Sequence, residues 1–102
     1  MDKSYAVEML PESHRKDIQA ALDILKEEGC KEVYLFGSLV NGDFTGESDI
    51  DLAVKGLDKK FFFKALGKLI EALDHAVDLI NLEKEDRFST MLKKKGGLFR
   101  VA

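Results

Sequence analysis

VYLFGSLVNGDFTGESDIDLAV, running from Val33 to Val54, is the stretch that decides the fold. Its pattern predicts a strand, a tight turn, a short helix or loop, and a second strand. Gly37 and Ser38 fall at the end of the first strand, and Asp49 and Asp51 near the start of the second. Aspartate is depleted in strands, because its side chain competes for backbone hydrogen bonds and suits a half-buried pleat poorly. Two aspartates at alternate positions of an otherwise apolar strand therefore need a reason. Alternation puts both carboxylates on one face, side by side. Like charges that close repel, and a cation or a proton relieves the repulsion. The simplest cation is Mg²⁺, which takes oxygen ligands and bridges protein carboxylates to substrate phosphates. The Gly-Ser turn supplies a complementary feature. Gly37 tolerates positive φ and close approach of a ligand to the backbone. Ser38 can cap a following helix, whose free N–H groups attract phosphate oxygens.

Gly37-Ser38, ten intervening residues, then Asp49-Ile50-Asp51 resembles the signature of the polymerase-β-like nucleotidyltransferase superfamily. The run LFGS…GESDIDLAV and the short chain look most like its minimal nucleotidyltransferases, small prokaryotic proteins often encoded beside a helical HEPN partner. The resemblance covers residues 31–81, and more loosely the whole chain. It implies an α/β fold of two layers, with a small mixed sheet of three or more strands and helices on one face.

Outward from this stretch, the elements follow from periodicity. Ile18, Ala21, Leu22 and Leu25 form one stripe of a helix that opens at Pro11 or Ser13, runs to about Glu28 and ends at Gly29. His14, in its first turn, is expected on the solvated surface. Cys30 is expected to pack, having no second cysteine or nearby histidine to share a metal. The first strand is expected at about Glu32 to Phe36, and the second at Asp49 to Val54, with Ile50, Leu52 and Val54 facing a helical layer. Asp58 should cap a helix reaching about Leu73, with Phe62, Leu66, Leu69 and Leu73 as its stripe and Phe63 and Ile70 beside it. Phe61, Phe62 and Phe63 are more than one stripe can bury, and Phe61 is expected to face a partner.

A third strand is expected over Ala76 to Leu82, again with an aspartate, Asp78, among apolar residues. A strand–helix–strand run makes its two strands parallel. If they are neighbours, Asp78 lies at the same sheet end as Asp49 and Asp51, and it falls where the family places its third acidic residue. His75 reads as a turn residue. Glu85 to Lys95 reads as a helix with Phe88, Met91 and Leu92 inward, and Lys93, Lys94 and Lys95 as a solvated run favoured by the helix dipole. Leu98 to Val101 reads as a short edge strand.

Composition bounds the function. At 102 residues with 45% hydrophobic content, one domain with a real core is expected over 1–102. Sixteen basic against 19 acidic residues, net −3, argue against strong non-specific binding to nucleic acid. One cysteine and no long apolar run or signal peptide point to the cytoplasm and away from membranes. Other motifs fail. No Gly-x-x-x-x-Gly-Lys phosphate loop is present. The Asp43–Asp49 region lacks the glycine that an EF-hand needs at its sixth position, where Ser48 stands.

The resemblance implies a Mg²⁺ (or Mn²⁺) site at Asp49, Asp51 and Asp78, triphosphate contacts at Gly37 and Ser38, ATP as donor, and AMP transfer to a protein or RNA hydroxyl. It implies an antitoxin-like role beside a helical HEPN protein. A 102-residue chain leaves one side of the site open, so a stable assembly is expected, with that protein or as a homodimer. The rival reading is a catalytically weak nucleotide-binding or protein-binding module that neutralises a partner by contact. The chain departs from the family at Leu39, Val40, Asn41 and Gly42, where many members carry a basic run like Arg-Ala-Arg-Gly.

Overall fold

The computed structural model describes residues 10–41, 45–82 and 98–102. The helix expected over Glu85–Lys95 and the Lys93–Lys95 run lie outside them. The elements are α1 (Glu12–Glu27), β1 (Glu32–Phe36), the one-turn α2 (Ser38–Asn41), β2 (Ile50–Lys55), α3 (Lys59–Ala72), β3 (Val77–Asn81) and β4 (Phe99–Arg100).

Each helix end has a local cause. At the end of α1, Gly29 takes φ +91°, and the Gly29 and Cys30 amides donate to the Lys26 and Leu25 carbonyls at 3.0 and 2.9 Å. This is a Schellman closure, with glycine where an L side chain would be strained. At the start of α3 the Asp58 carboxylate accepts the Lys60 amide at 3.0 Å, satisfying one of the free donors of the first turn.

The sheet order is β3-β2-β1-β4. β2 runs antiparallel to β1 and parallel to β3, with α3 as the connection. β4 pairs antiparallel with β1 at the other edge. The sheet is thus mixed, and α1 and α3 of the described residues lie on one face. Strand alternation makes this possible: Val33, Leu35, Ile50, Leu52, Val54 and Leu79 pack with Ile18, Ala21, Leu25, Ala65 and Leu69 of the two helices. The opposite face carries a smaller cluster of Phe36, Ala53 and Leu82, flanked by Tyr34, Ile80 and Leu98. The two helices are also tied by charge. Glu28, whose side chain is almost fully buried, pairs with Lys68 and more distantly with Lys64 of α3.

Of the three phenylalanines, Phe61 is exposed as expected, and Phe63 is exposed further. Phe62 packs against the core. Phe63 is 77% exposed and Ile70 61%, while Phe61 is 39% exposed, with the Lys64 ammonium 5.9 Å from its ring centre. Residues 63 and 70, two turns apart, share one helix face, so Phe63 rather than Phe61 is the most open aromatic of the three.

Leu52 sits on the central strand with no exposed surface. Leu52→Ala should therefore lower stability by about 2–5 kcal/mol, read as a fall in the urea midpoint at unchanged slope.

Candidate active site

The parallel pairing of β2 with β3 puts Asp51 opposite Asp78, and the antiparallel pairing with β1 puts Phe36 on the other side of Asp51. Ile50 and Leu52 on either side of Asp51 belong to the helix-side core, so alternation sends both carboxylates to the face that the described helices leave uncovered. Asp51 is half-buried, and Asp78 is exposed. Asp49 stands one residue before the strand rather than within it, and is exposed. The Asp51 carboxyl is pushed up to about 6, first by burial, then by the charges of Asp78 and Asp49. The sequence-predicted trio is thus electrically one cluster, centred on Asp51.

Gly37 closes the site from the β1 side. It takes φ +75°, and a Cβ placed there would lie 2.3 Å from Asp51 Oδ2. Both facts demand glycine, and the second means that the Asp51 carboxylate lies directly over the turn. Ser38 opens α2, where the Val40 amide donates to the Gly37 carbonyl at 3.1 Å; the Ser38 side chain lies outside what the structure describes. Leu39 is 3% exposed and belongs to the core.

The donor chemistry suits a hard divalent cation. The donors on offer are carboxylate oxygens, and the half-buried Asp51 has a charge that its two neighbours oppose. Among the described residues, no three His, Cys, Asp or Glu side chains are gathered closely enough to form a complete protein-only metal site. Mg²⁺ ordinarily takes only one or two carboxylates, with substrate phosphates and water completing the shell. Asp51 and Asp78 are the pair the sheet brings together; Asp49 adds charge from the edge.

Sequence reasoning missed two histidines. His14, expected in solvent, has no exposed surface, and its ring stacks on that of His75 with centroids 3.8 Å apart. His14 Nε2 donates to the Ser48 carbonyl at 2.8 Å. His75 is more than a turn residue: its Nδ1 meets Asp17 Oδ2 at 2.8 Å and its Nε2 the Gly46 carbonyl at 3.1 Å. The hydrogen bond to Asp17, with help from Gly46, holds the His75 imidazole above its ordinary value. The available signal was the spacing 14, 17, 18, 21, 25, which places His14 and Asp17 on the buried stripe of α1.

The family model described as "Polymerase beta, Nucleotidyltransferase" matches residues 18–99. No curated protein sequence matches the chain. Among solved structures, a toxin–antitoxin with AMP-PNP contains a chain 26% identical, covering 88% of this chain and 72% of that one, with TM-score 0.63. A mutant MntA–HpeT toxin–antitoxin pair gives 28% identity over 83% of this chain and 71% of that one, with TM-score 0.64. The tri-AMPylated Shewanella oneidensis HEPN toxin in complex with its MNT antitoxin gives 28% identity over 71% of this chain and 58% of that one, with TM-score 0.52. All three are structures of toxin–antitoxin pairs.

The raised Asp51 value has a thermodynamic sign. The folded chain holds this proton more tightly than the unfolded chain, whose value is 3.8. As pH rises from about 4 to about 6 the unfolded carboxyl ionises first, and folding stability falls across that window. Asp51→Asn should flatten this dependence and raise the melting temperature at pH 7, as followed by circular dichroism melts at half-unit steps of pH without divalent metal.

Proposed function

The chain belongs to the polymerase β nucleotidyltransferase family, and from that premise we propose that it moves AMP from ATP to a protein or RNA hydroxyl in a metal-dependent reaction, as the antitoxin of a HEPN/MNT pair. The observation that carries this reading is the register of Asp51 against Asp78 beside a glycine turn that has room only for that carboxylate. An AMP-PNP complex and an AMPylated toxin among the neighbours support ATP as donor and AMP as the group moved.

Asp51 and Asp78, with Asp49 at the edge, would hold the divalent cation. Bound there, the cation would offset the clustered negative charge and lower the pKa of the acceptor hydroxyl. Gly37 and Ser38 would lie beside the triphosphate, with Gly37 leaving the room in which the Asp51 carboxylate sits. The acceptor oxygen attacks the α-phosphorus in line, the bond to the bridging oxygen breaks, and pyrophosphate leaves. Asp78, exposed at the sheet end, would accept the hydroxyl proton.

A second reading has its own support. Leu39 is packed in the core, so the residue following Ser38 offers no cation to a triphosphate. This favours a catalytically weak module that binds nucleotide or partner and neutralises by contact. ATP labelled at the α-phosphate separates the two. The expected result is transfer of the α label to a co-expressed partner and none of a γ label. Asp49→Asn with Asp51→Asn should remove both the transfer and the Mn²⁺-dependent rise in melting temperature. A partner neutralised without labelling would establish the contact reading instead.

The exposed Phe63 and Ile70 make an apolar face that a helical partner or a second copy would cover. Light scattering should find the wild-type chain in an assembly, alone or with the product of the adjacent gene, and Phe63→Ser should weaken it. A wild-type monomer that binds no neighbour would remove the assembly from the proposal.

A further inference from the structure

Two histidines and an aspartate that the proposed reaction leaves unused form one packed unit beneath the approaches to β2 and β3. His14 and Asp17 come from the first turns of α1, and His75 from the turn before β3. The two rings stack at 3.8 Å with planes 22° apart. Each ring donates to a carbonyl of the segment before β2: His14 Nε2 to Ser48 at 2.8 Å, and His75 Nε2 to Gly46 at 3.1 Å. Asp17 holds the other side. Its carboxylate accepts the Asp74 and His75 amides at 3.1 and 2.9 Å, and His75 Nδ1 at 2.8 Å.

The connectivity gives the unit its meaning. Ser48 is followed directly by Asp49, and His75 stands three residues before Asp78. One stack thus grips both chain segments that deliver the outer carboxylates, and fastens them to α1. A purely structural filler of this site would be apolar, because buried polar groups cost stability unless paired. His14 Nδ1 is buried with no hydrogen-bond partner, so the imidazole is kept there despite a cost.

We propose that His14, His75 and Asp17 are positioning residues of the transfer site, whose stack fixes the separation between the Asp49 approach and the Asp78 approach. The proposal rests on the reading that these carboxylates hold the divalent cation. Burial works to raise the Asp17 carboxyl, but the Asp74 amide and the His75 ring and amide outweigh it and hold it low. The contact to His75 therefore has a charged acceptor, and both ring nitrogens of His75 have acceptors to donate to.

The test uses the full chain with Mn²⁺ as probe, followed by electron paramagnetic resonance, beside hydrogen exchange of the metal-free protein. His75→Ala should speed exchange at Glu47–Asp49 while the amides of β2 and β3 keep wild-type rates. It should weaken Mn²⁺ binding by about 10–100-fold and raise the metal requirement for transfer, leaving the KM for ATP unchanged at saturating Mn²⁺. His75→Asn, whose amide still reaches towards Asp17, should recover part of the loss. Should His75→Ala fail to fold, His14→Phe carries the same readouts, since it keeps a ring in the stack and loses only the donor to Ser48. Wild-type Mn²⁺ affinity in a folded His75 or His14 variant would overturn the proposal and leave the transferase reading standing. A wild-type chain that binds no Mn²⁺, or binds it equally well as Asp51→Asn, would overturn that reading and this proposal with it.

Discussion

Asp51 and Asp78 share one register position on neighbouring parallel strands, and two carboxylates so placed cannot both be ionised without a cost. Burial raises the Asp51 value most, and the charge of Asp78 adds to it. The placement is fixed by the same alternation that builds the core. A slip of one residue in β2 would turn Asp51 towards the helices and Ile50 and Leu52 away from them. Ile50 and Leu52 have no exposed surface, so the slip is forbidden by burial alone. The apolar pattern therefore enforces the electrostatic conflict, and stability gained on one face of the sheet sustains strain on the other. Sites that hold like charges together at the expense of stability are commonly functional ones.

The remaining features keep this conflict in place. From the β1 side, Gly37 leaves no volume beyond that of the Asp51 carboxylate. Beneath the entrances to β2 and β3, the stacked histidines hold the chain by backbone carbonyls and amides, which leaves the aspartate side chains free of hydrogen bonds to the clamp. A carboxylate fixed through its backbone keeps its oxygens for an incoming ligand.

Most of the fold was legible in the sequence, because its signals are local. The two-residue period of LFGS…DIDLAV, the stripe of α1, the glycine at its end and the Asp58 cap each depend on residues within a turn or a strand. The parallel pairing followed from the strand–helix–strand order, and with it the neighbouring of Asp51 and Asp78. What was hidden depends on distant partners. His14 meets Ser48 across 34 positions and Asp17 meets His75 across 58, and a polar residue in the first turn of an amphipathic helix is ordinarily solvated. Phe63 was hidden for another reason: three consecutive aromatics point in three directions, and only the placement of the helix on the sheet selects the one left outside.

The turn after Gly37 bears on how a nucleotide could be held. Leu39 is buried and Val40 packs against the same core, so these two positions anchor the one-turn helix. A basic side chain at position 39 would place its stem and charge in the apolar core cluster, where an unpaired charge is strongly disfavoured. The absence of cations at 39 and 40 is therefore a consequence of the packing. A triphosphate approaching Asp49, Asp51 and Asp78 on a chain of net charge −3 meets repulsion that these residues do nothing to relieve. In the proposed reaction the divalent cation brings counter-charge with the ligand. Binding of nucleotide and of cation is then strongly coupled, and by linkage each raises the affinity of the other by the same factor. On this reading the chain by itself is a negatively charged frame, and a cation held by its carboxylates would make it a phosphate site.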